Sequence, residues 1–226
     1  MILEAGQTSG SRADAALAEL CRTYWYPVYA FARRKGCQPA DAKDLTQAFF
    51  AHLIETNLLQ KANPKKGRFR SFLLGCFRLF MASENKRAQA QKRGGESSMV
   101  LLDIHEAELR FLQEPVSTAS PEELFDRHWA MATFDASFAR LESEMRASNR
   151  AELYQELLPS LRGDDAELGY AELARRFGTT EAAVKVSIHR LRLRFREILH
   201  GVVGQTLNDP ADVKPELSHL LAAMRG

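Results

Sequence analysis

The stretch YAELARRFGTTEAAVKVSIHRLRLRFREIL, Tyr170 to Leu199, decides how the chain is read. It has the pattern of a short helix, a tight turn and a long basic helix. Leu173, Ala174 and Phe177 share the inner face of the first helix, and small Ala174 allows a second helix to cross closely. Gly178 stands where the turn needs a backbone conformation that other residues adopt poorly. Thr180 is placed to cap the second helix, and Glu181 suits its positive end. Val184, Ile188, Leu191 and Phe195 recur at helical spacing and form a buried stripe. Lys185, His189, Arg190, Arg192, Arg194 and Arg196 spread over the remaining faces. In a helix-turn-helix, residues near the start of the second helix touch base edges and basic side chains hold the phosphates. An ordinary amphipathic hairpin would share the charge, but not the combination of Ala174, Gly178, Thr180 and the apolar 184/188/191 spacing.

Working outward, helical periodicity dominates and no segment alternates at period two, so the expected fold class is all-α. One helix is expected from Ser11 to Arg22 and a second from about Tyr26 to Lys35, with Pro27 in its first turn and Gly36 closing it. A third begins near Pro39–Asp41 and carries Ala42, Leu45, Phe49, His52 and Leu53 on one stripe. A basic helix runs from about Phe69 to Arg93, with Phe72, Cys76, Leu79 and Phe80 inward. Gly94–Gly95 stops it, and the following segment reads as a linker with at most short helical turns. SPEEL, Ser120 to Leu124, is a helix start, with Ser as N-cap, Pro at the first position and two acids in the first turn. That helix should reach about Met145, and another spans roughly Ser148 to Leu161. In NDPADVKPELSHLLAAM, Asp209 can cap a last helix whose stripe is Val213, Leu217, Leu220, Leu221 and Met224.

The chain has 226 residues and a net charge of only +2, so composition alone does not announce a nucleic-acid partner. Its distribution does. Lys65 to Arg93 holds nine bases and one acid, Glu84, whereas Gly94 to Ala130 holds eight acids and two bases, Arg110 and Arg127. Such separation presents one face to an anion and keeps another segment away from it. Cys21, Cys37 and Cys76 form no metal-ligand spacing, which fits a reduced cytoplasmic setting. The N-terminal residues lack the pattern of a signal peptide, and no apolar run approaches the ~18 residues of a membrane span. His52, His105, His128 and His189 are scattered and no acid pair accompanies them, so no catalytic residue, metal or cofactor is expected.

The segment RFRSFLLGCFRLFMASENKRAQAQKR, Arg68 to Arg93, interleaves aromatics with bases, as surfaces that hold single-stranded nucleic acid do. DAKDLTQAFFAHLIE at Asp41 to Glu55, then this segment, then a linker, then the helix-turn-helix together resemble a bacterial extracytoplasmic-function sigma factor of the sigma-70 family. The resemblance implies two helical domains: residues 1–93 as sigma region 2, an acidic linker 94–120, and residues 121–200 as sigma region 4. Residues 201–226 then form a C-terminal helical extension, which either packs as a docking element on one of the domains or completes the core of the second. It implies core RNA polymerase and promoter DNA as partners, and neither an enzyme nor a membrane protein. By position, Asp41, Asp44, Leu45, Gln47 and Phe50 fall in the polymerase-binding helix. Arg78, Ser83, Asn85, Lys86 and Arg87 fall where the family holds the minus-ten strand. Thr180, Glu181, Ala182, Lys185, Val186, His189 and Arg190 fall on the helix that reads the minus-thirty-five element. Fully extended, residues 94 to 120 would reach roughly 90 Å, against about 70 Å between elements two duplex turns apart.

Two features depart from the family. Where DAEDLTQEVF is common, Lys43 and Ala48 replace acids, and the chain continues past the usual end from His200. A phosphate on Thr46, adding roughly −1.5 to −2 charge, would restore acidity to the polymerase-binding helix; the alternative is a helix residue with no regulatory role, its hydroxyl bonded to the preceding turn. A Ser/Thr kinase is therefore one regulator to look for and an anti-sigma factor another. The alternative is a two-domain helix-turn-helix regulator that binds duplex operator without polymerase.

Overall fold

The computed structural model describes residues 11–56, 58, 68–90, 104–115, 117–162, 169–207 and 209–225, excepting the side chains of 11–17, 87–90 and 104. Among them every regular element is helical. The helices are α1 (Ser11–Arg34), α2 (Pro39–Glu55), α3 (Phe69–Ala90), α4 (Ile104–Leu112), α5 (Pro121–Ala147), α6 (Ala151–Arg162), α7 (Tyr170–Arg176), α8 (Glu181–Gly204) and α9 (Val213–Arg225), with a 3-10 turn at Pro210–Asp212 before α9. The chain forms two compact units, Met1–Ala132 with Val203–Gly226, and Thr133–Val202. The divisions fall inside α5 and inside α8, the second close to the expected boundary after residue 200, whereas the first lies beyond the boundaries expected at 93 and 121.

The first unit is built on aromatic packing. Tyr24, Trp25, Val28, Tyr29 and Phe31 of α1 are buried together with Phe49, Phe50 and Leu53 of α2 and Phe69, Leu73 and Phe77 of α3. Leu124, Phe125 and Trp129, from the start of α5, are buried in the same unit. The rings of Tyr24 and Trp129 stack, and Phe31 meets Phe77 and Phe125 edge-on. This packing explains why α1 is one helix and not two. Pro27 inside a helix costs about 3 kcal/mol, but Tyr24, Trp25, Val28 and Tyr29 on either side of it all bury, which offsets that cost. The inward stripe of α3 is Phe69, Leu73, Phe77 and Met81, rotated from the expected Phe72, Cys76, Leu79 and Phe80. Leu79 is 76% exposed, and the second stripe instead lines an open cleft with Phe49, His52 and Leu58.

Residues 104–115 are a correction to the linker reading: they hold α4, which has charged partners in the first unit. Arg33 donates to both carboxylate oxygens of Glu108 at 3.0 and 2.8 Å, and the Tyr29 hydroxyl donates to the same carboxylate. Glu114 accepts from Arg34 at 2.9 Å and from the Tyr26 hydroxyl, and lies 2.8 Å from Nε2 of buried His128. Glu108 and Glu114 are therefore matched to bases of α1.

The C-terminal extension belongs to the first unit. Val213, Glu216 and Leu220 of α9 are buried, while Leu221 and Met224, expected on the apolar stripe, are exposed. A charged residue faces inward because a buried base awaits it. Arg70 is 4% exposed and pairs with Glu216 at 3.2 Å and with Asp126 at 3.2 Å. Arg68 reaches the other oxygen of Glu216 at 2.8 Å, and Asp126 also meets His219 at 3.0 Å.

The second unit is a separate core of Leu141, Tyr154, Leu157, Leu173, Ala174, Val184, Ile188, Leu191 and Ile198. Phe138 stacks on Phe195 beside it, with ring centroids 4.3 Å apart.

Two tests follow from these contacts. Glu216→Ala leaves the Arg70 guanidinium buried without its α9 partner and should cost about 3–5 kcal/mol in urea unfolding. Exposed Lys214→Ala on the same helix should stay within about 0.5 kcal/mol. The second test is acid. Burial would raise the Glu114 carboxyl, but hydrogen bonds from His128, Tyr26 and Arg34 outweigh it and hold the group at about 2. The unfolded value is about 4.3, so the contact's contribution is fully present above that pH and is lost as pH falls toward 2. The stability gap between the wild type and Glu114→Gln should shrink from about pH 5 to pH 2; a constant gap would show that Glu114 gains nothing from its charge.

Candidate nucleic-acid interface

The turn between α7 and α8 is made by local chemistry. The amide of Thr179 donates to the carbonyl of Ala174 at 2.8 Å, and Gly178 sits at φ +61°, the left-handed region. A side chain there would meet no neighbour, so the need for glycine is purely conformational, about 1–2 kcal/mol for other residues. Thr180 then caps α8, its hydroxyl oxygen accepting from the amide of Ala183 at 3.2 Å. With Val184, Ile188 and Leu191 turned into the core, the first three turns of α8 leave one face outward. Thr180, Glu181, Ala182, Lys185, Val186, His189 and Arg190 are all exposed on it. Seven side chains expected from the sequence are thus brought together, with apolar Val186, 47% exposed, among them.

Ion pairing separates the bases that the sequence treats alike. Arg194 reaches both oxygens of Glu144 at 2.8 and 2.9 Å and pairs with Glu197 at 2.7 Å; these partners raise its pKa above the ordinary arginine value. Arg176 pairs with Glu152 and Glu156, and Arg175 with Glu172. Arg192 donates to the carbonyl of Ser160, near the negative end of α6, at 2.8 Å. Among the described residues no acid pairs with Lys185, Arg190 or Arg196. The Lys185 ammonium lies 5.3 Å from the centre of the Tyr170 ring. The start of α8 therefore carries uncommitted positive charge at Lys185 and Arg190, as do Arg150 and Arg196 elsewhere in this unit.

In the first unit, Arg78, Asn85 and Lys86 are exposed along two turns of α3. Arg78 lies 3.7 Å from Glu122. Ser83 is turned toward the cleft, its hydroxyl bonded to the carbonyl of Phe80 at 2.8 Å. The side chain of Arg87 lies outside the described residues. The cleft, about 290 Å³, is lined by Phe49, His52, Leu58, Cys76, Leu79, Phe80 and Ser83. Sequence reasoning missed it because two apolar stripes overlap on α3 and only packing reveals which one is left open.

On α2, Asp41 and Asp44 are exposed and Leu45 and Gln47 are half-exposed. Phe50 is a correction: it is 3% exposed and packs at 5.6 Å on Phe49, so its bulk serves the core and cannot meet a partner protein. Thr46 is a second correction. It is fully buried, and its hydroxyl donates to the carbonyl of Ala42 at 2.7 Å. A kinase cannot reach it without opening the helix pair, and a phosphate there would have no water to solvate it.

The bases of α8 should separate in a binding assay. Lys185→Ala and Arg190→Ala are expected to weaken binding to a cognate duplex by about 1–3 kcal/mol each where they contact a base. Arg196→Ala, two turns further on, should cost less. Equal losses at all three positions would point to diffuse attraction and not to a reading face. Compared with known proteins, the chain matches no family model, no curated protein and no solved structure.

Proposed function

We propose that this protein is a promoter-specificity subunit of bacterial RNA polymerase, acting in the cytoplasm. The carrying observation is the outward face of α8. Behind a glycine turn at φ +61° and a threonine cap, Lys185 and Arg190 stand without acids while Arg175, Arg176 and Arg194 are all paired. A helix entering the major groove needs such a start, where long donors reach base edges and phosphates.

In this reading the second unit reads duplex DNA through Thr180 to Arg190. The first unit has two tasks on separate helices. Asp41 and Asp44, with Leu45 and Gln47, present an acidic and apolar surface of α2 to polymerase. Arg78, Asn85 and Lys86 of α3 hold a separated strand, with Arg and Lys on phosphates and the amide free to bond a base. Phe50 and Thr46 act behind α2 as packing residues and touch no partner. An anti-sigma factor or other regulator would compete for these same two faces.

Reconstitution tests the reading. The purified protein is mixed with core RNA polymerase, and run-off transcription is measured from the upstream region of its own gene. A defined transcript that requires the protein, and is lost in the Asp41→Lys, Asp44→Lys double variant, is the expected result. Tight binding to that DNA without polymerase, and no transcript with it, would make the protein an operator-binding regulator instead.

A further inference from the structure

Three acids of residues 104–122 meet three consecutive bases at the end of α1. Arg33 holds Glu108, Arg34 holds Glu114, and the Lys35 ammonium lies 3.1 Å from Oε1 of Glu122. The first two contacts are sheltered. The Arg33 and Arg34 side chains are 14% and 25% exposed, and both guanidinium groups lie 4.8 Å from the centre of the Phe111 ring. They anchor α4. The third contact is different in kind. The same Oε1 of Glu122 lies 3.7 Å from Arg78 of α3, so cations from two separate helices converge on one oxygen. All three side chains are open to water, at 37%, 36% and 58% for Lys35, Glu122 and Arg78.

The cap of α5 does not depend on Glu122, although its charge suits the first turn. The start of α5 is capped by Ser120 and Glu123, which exchange hydrogen bonds between side chain and amide in both directions. The Glu122 carboxyl lies below its ordinary range, chiefly through its hydrogen bond from Lys35. Exposed pairs of this kind add little to stability, and a change of side-chain rotamer is enough to release it. An anionic oxygen held by a lysine and an arginine is also how proteins hold a backbone phosphate.

We propose that Glu122 is a built-in substitute for a nucleic-acid phosphate. It occupies the anion position between Lys35 and Arg78 in the unbound protein, and a single strand takes that position by displacing it. The proposal rests on the reading of α3 as a strand-holding surface. It adds Lys35 to that surface and places a brake on it. Strands that offer only phosphates must compete with Glu122, whereas strands that also engage Asn85 and Lys86 gain contacts that the brake does not oppose.

The test uses the full chain and a fluorescein-labelled single-stranded oligodeoxynucleotide of about 20 nucleotides, read by fluorescence anisotropy from about 50 to 200 mM salt. Glu122→Gln opens one phosphate position, so one more phosphate contact should steepen the plot of log affinity against log salt by about 0.7. Its advantage over wild type should then shrink about 2.6-fold across that salt range. Glu106→Gln, on the exposed first turn of α4, makes the same change in net charge and should leave the slope unaltered. Adding Lys35→Ala and Arg78→Ala to Glu122→Gln should abolish the gain. Equal slopes for the two Glu→Gln variants, or a gain that survives loss of Lys35 and Arg78, would overturn the proposal while leaving the strand-holding surface intact. If neither wild type nor any variant binds the oligonucleotide at the lowest salt, the surface itself is misread and the proposal falls with it.

Discussion

A guanidinium buried to 4% exposure cannot be left unpaired, and Arg70 sets that requirement for the whole first unit. It lies in the first turn of α3, and its partners come from 56 and 146 residues further along the chain. Asp126 fixes the start of α5 to α3, and Glu216 fixes α9 to the same point. His219 on Asp126 and Arg68 on Glu216 extend the pairing outward to half-exposed positions. The aromatic packing of Tyr24, Trp129, Phe31 and Phe125 would bring some of these helices together by area alone. The charges decide where they stop. An apolar residue at position 216 would suit the helix but would leave Arg70 short of a partner.

The same accounting of charge separates scaffold from surface elsewhere. Arg33 and Arg34 are spent on Glu108 and Glu114, and Arg176 and Arg194 on acids of α5, α6 and α8. Among the described residues, those left without an acid include Lys185 and Arg190 at the start of α8 and Lys86 on α3, while Lys35 and Arg78 share the single Glu122. A net charge of +2 therefore conceals small regions of concentrated positive charge. Their position follows from which bases find acids within 4 Å and not from where bases are dense in the sequence.

The helix-turn-helix was legible because its signals are local. Gly178, Thr180 and the 184/188/191 spacing lie within 14 residues and answer to backbone geometry and periodicity alone. The all-helical fold was legible for the same reason. What could not be read were matters settled by distant partners. Both stripes of α3 have helical spacing, and only the packing partners select Phe69, Leu73, Phe77 and Met81. Pro27 looked like a helix start because its local cost is real; the burial that outweighs it comes from α5 and other elements. The acidic segment before α5 looked like linker because the bases that neutralise Glu108 and Glu114 are 75 and 80 residues away. Phe50 falls in the polymerase-binding helix by motif position, although period 3.6 allows either face, and the exposure of Thr46 is not readable from its spacing. Glu122 was read as a favourable charge at a helix start, which is correct and incomplete.

The first unit is not contiguous in the chain, and this imposes an order on its assembly during synthesis. The second unit, Thr133–Val202, is one uninterrupted segment whose contacts can all form once it has left the ribosome. The first unit cannot close when its own first 132 residues emerge. Until Glu216 follows, after the entire second unit, Arg70 has only Asp126, and the site that α9 will cover at Leu220 stays open to water. A newborn chain thus carries its second unit finished before its first. A ribosome that stops between the two leaves a product whose exposed apolar surface marks it for chaperones and proteases.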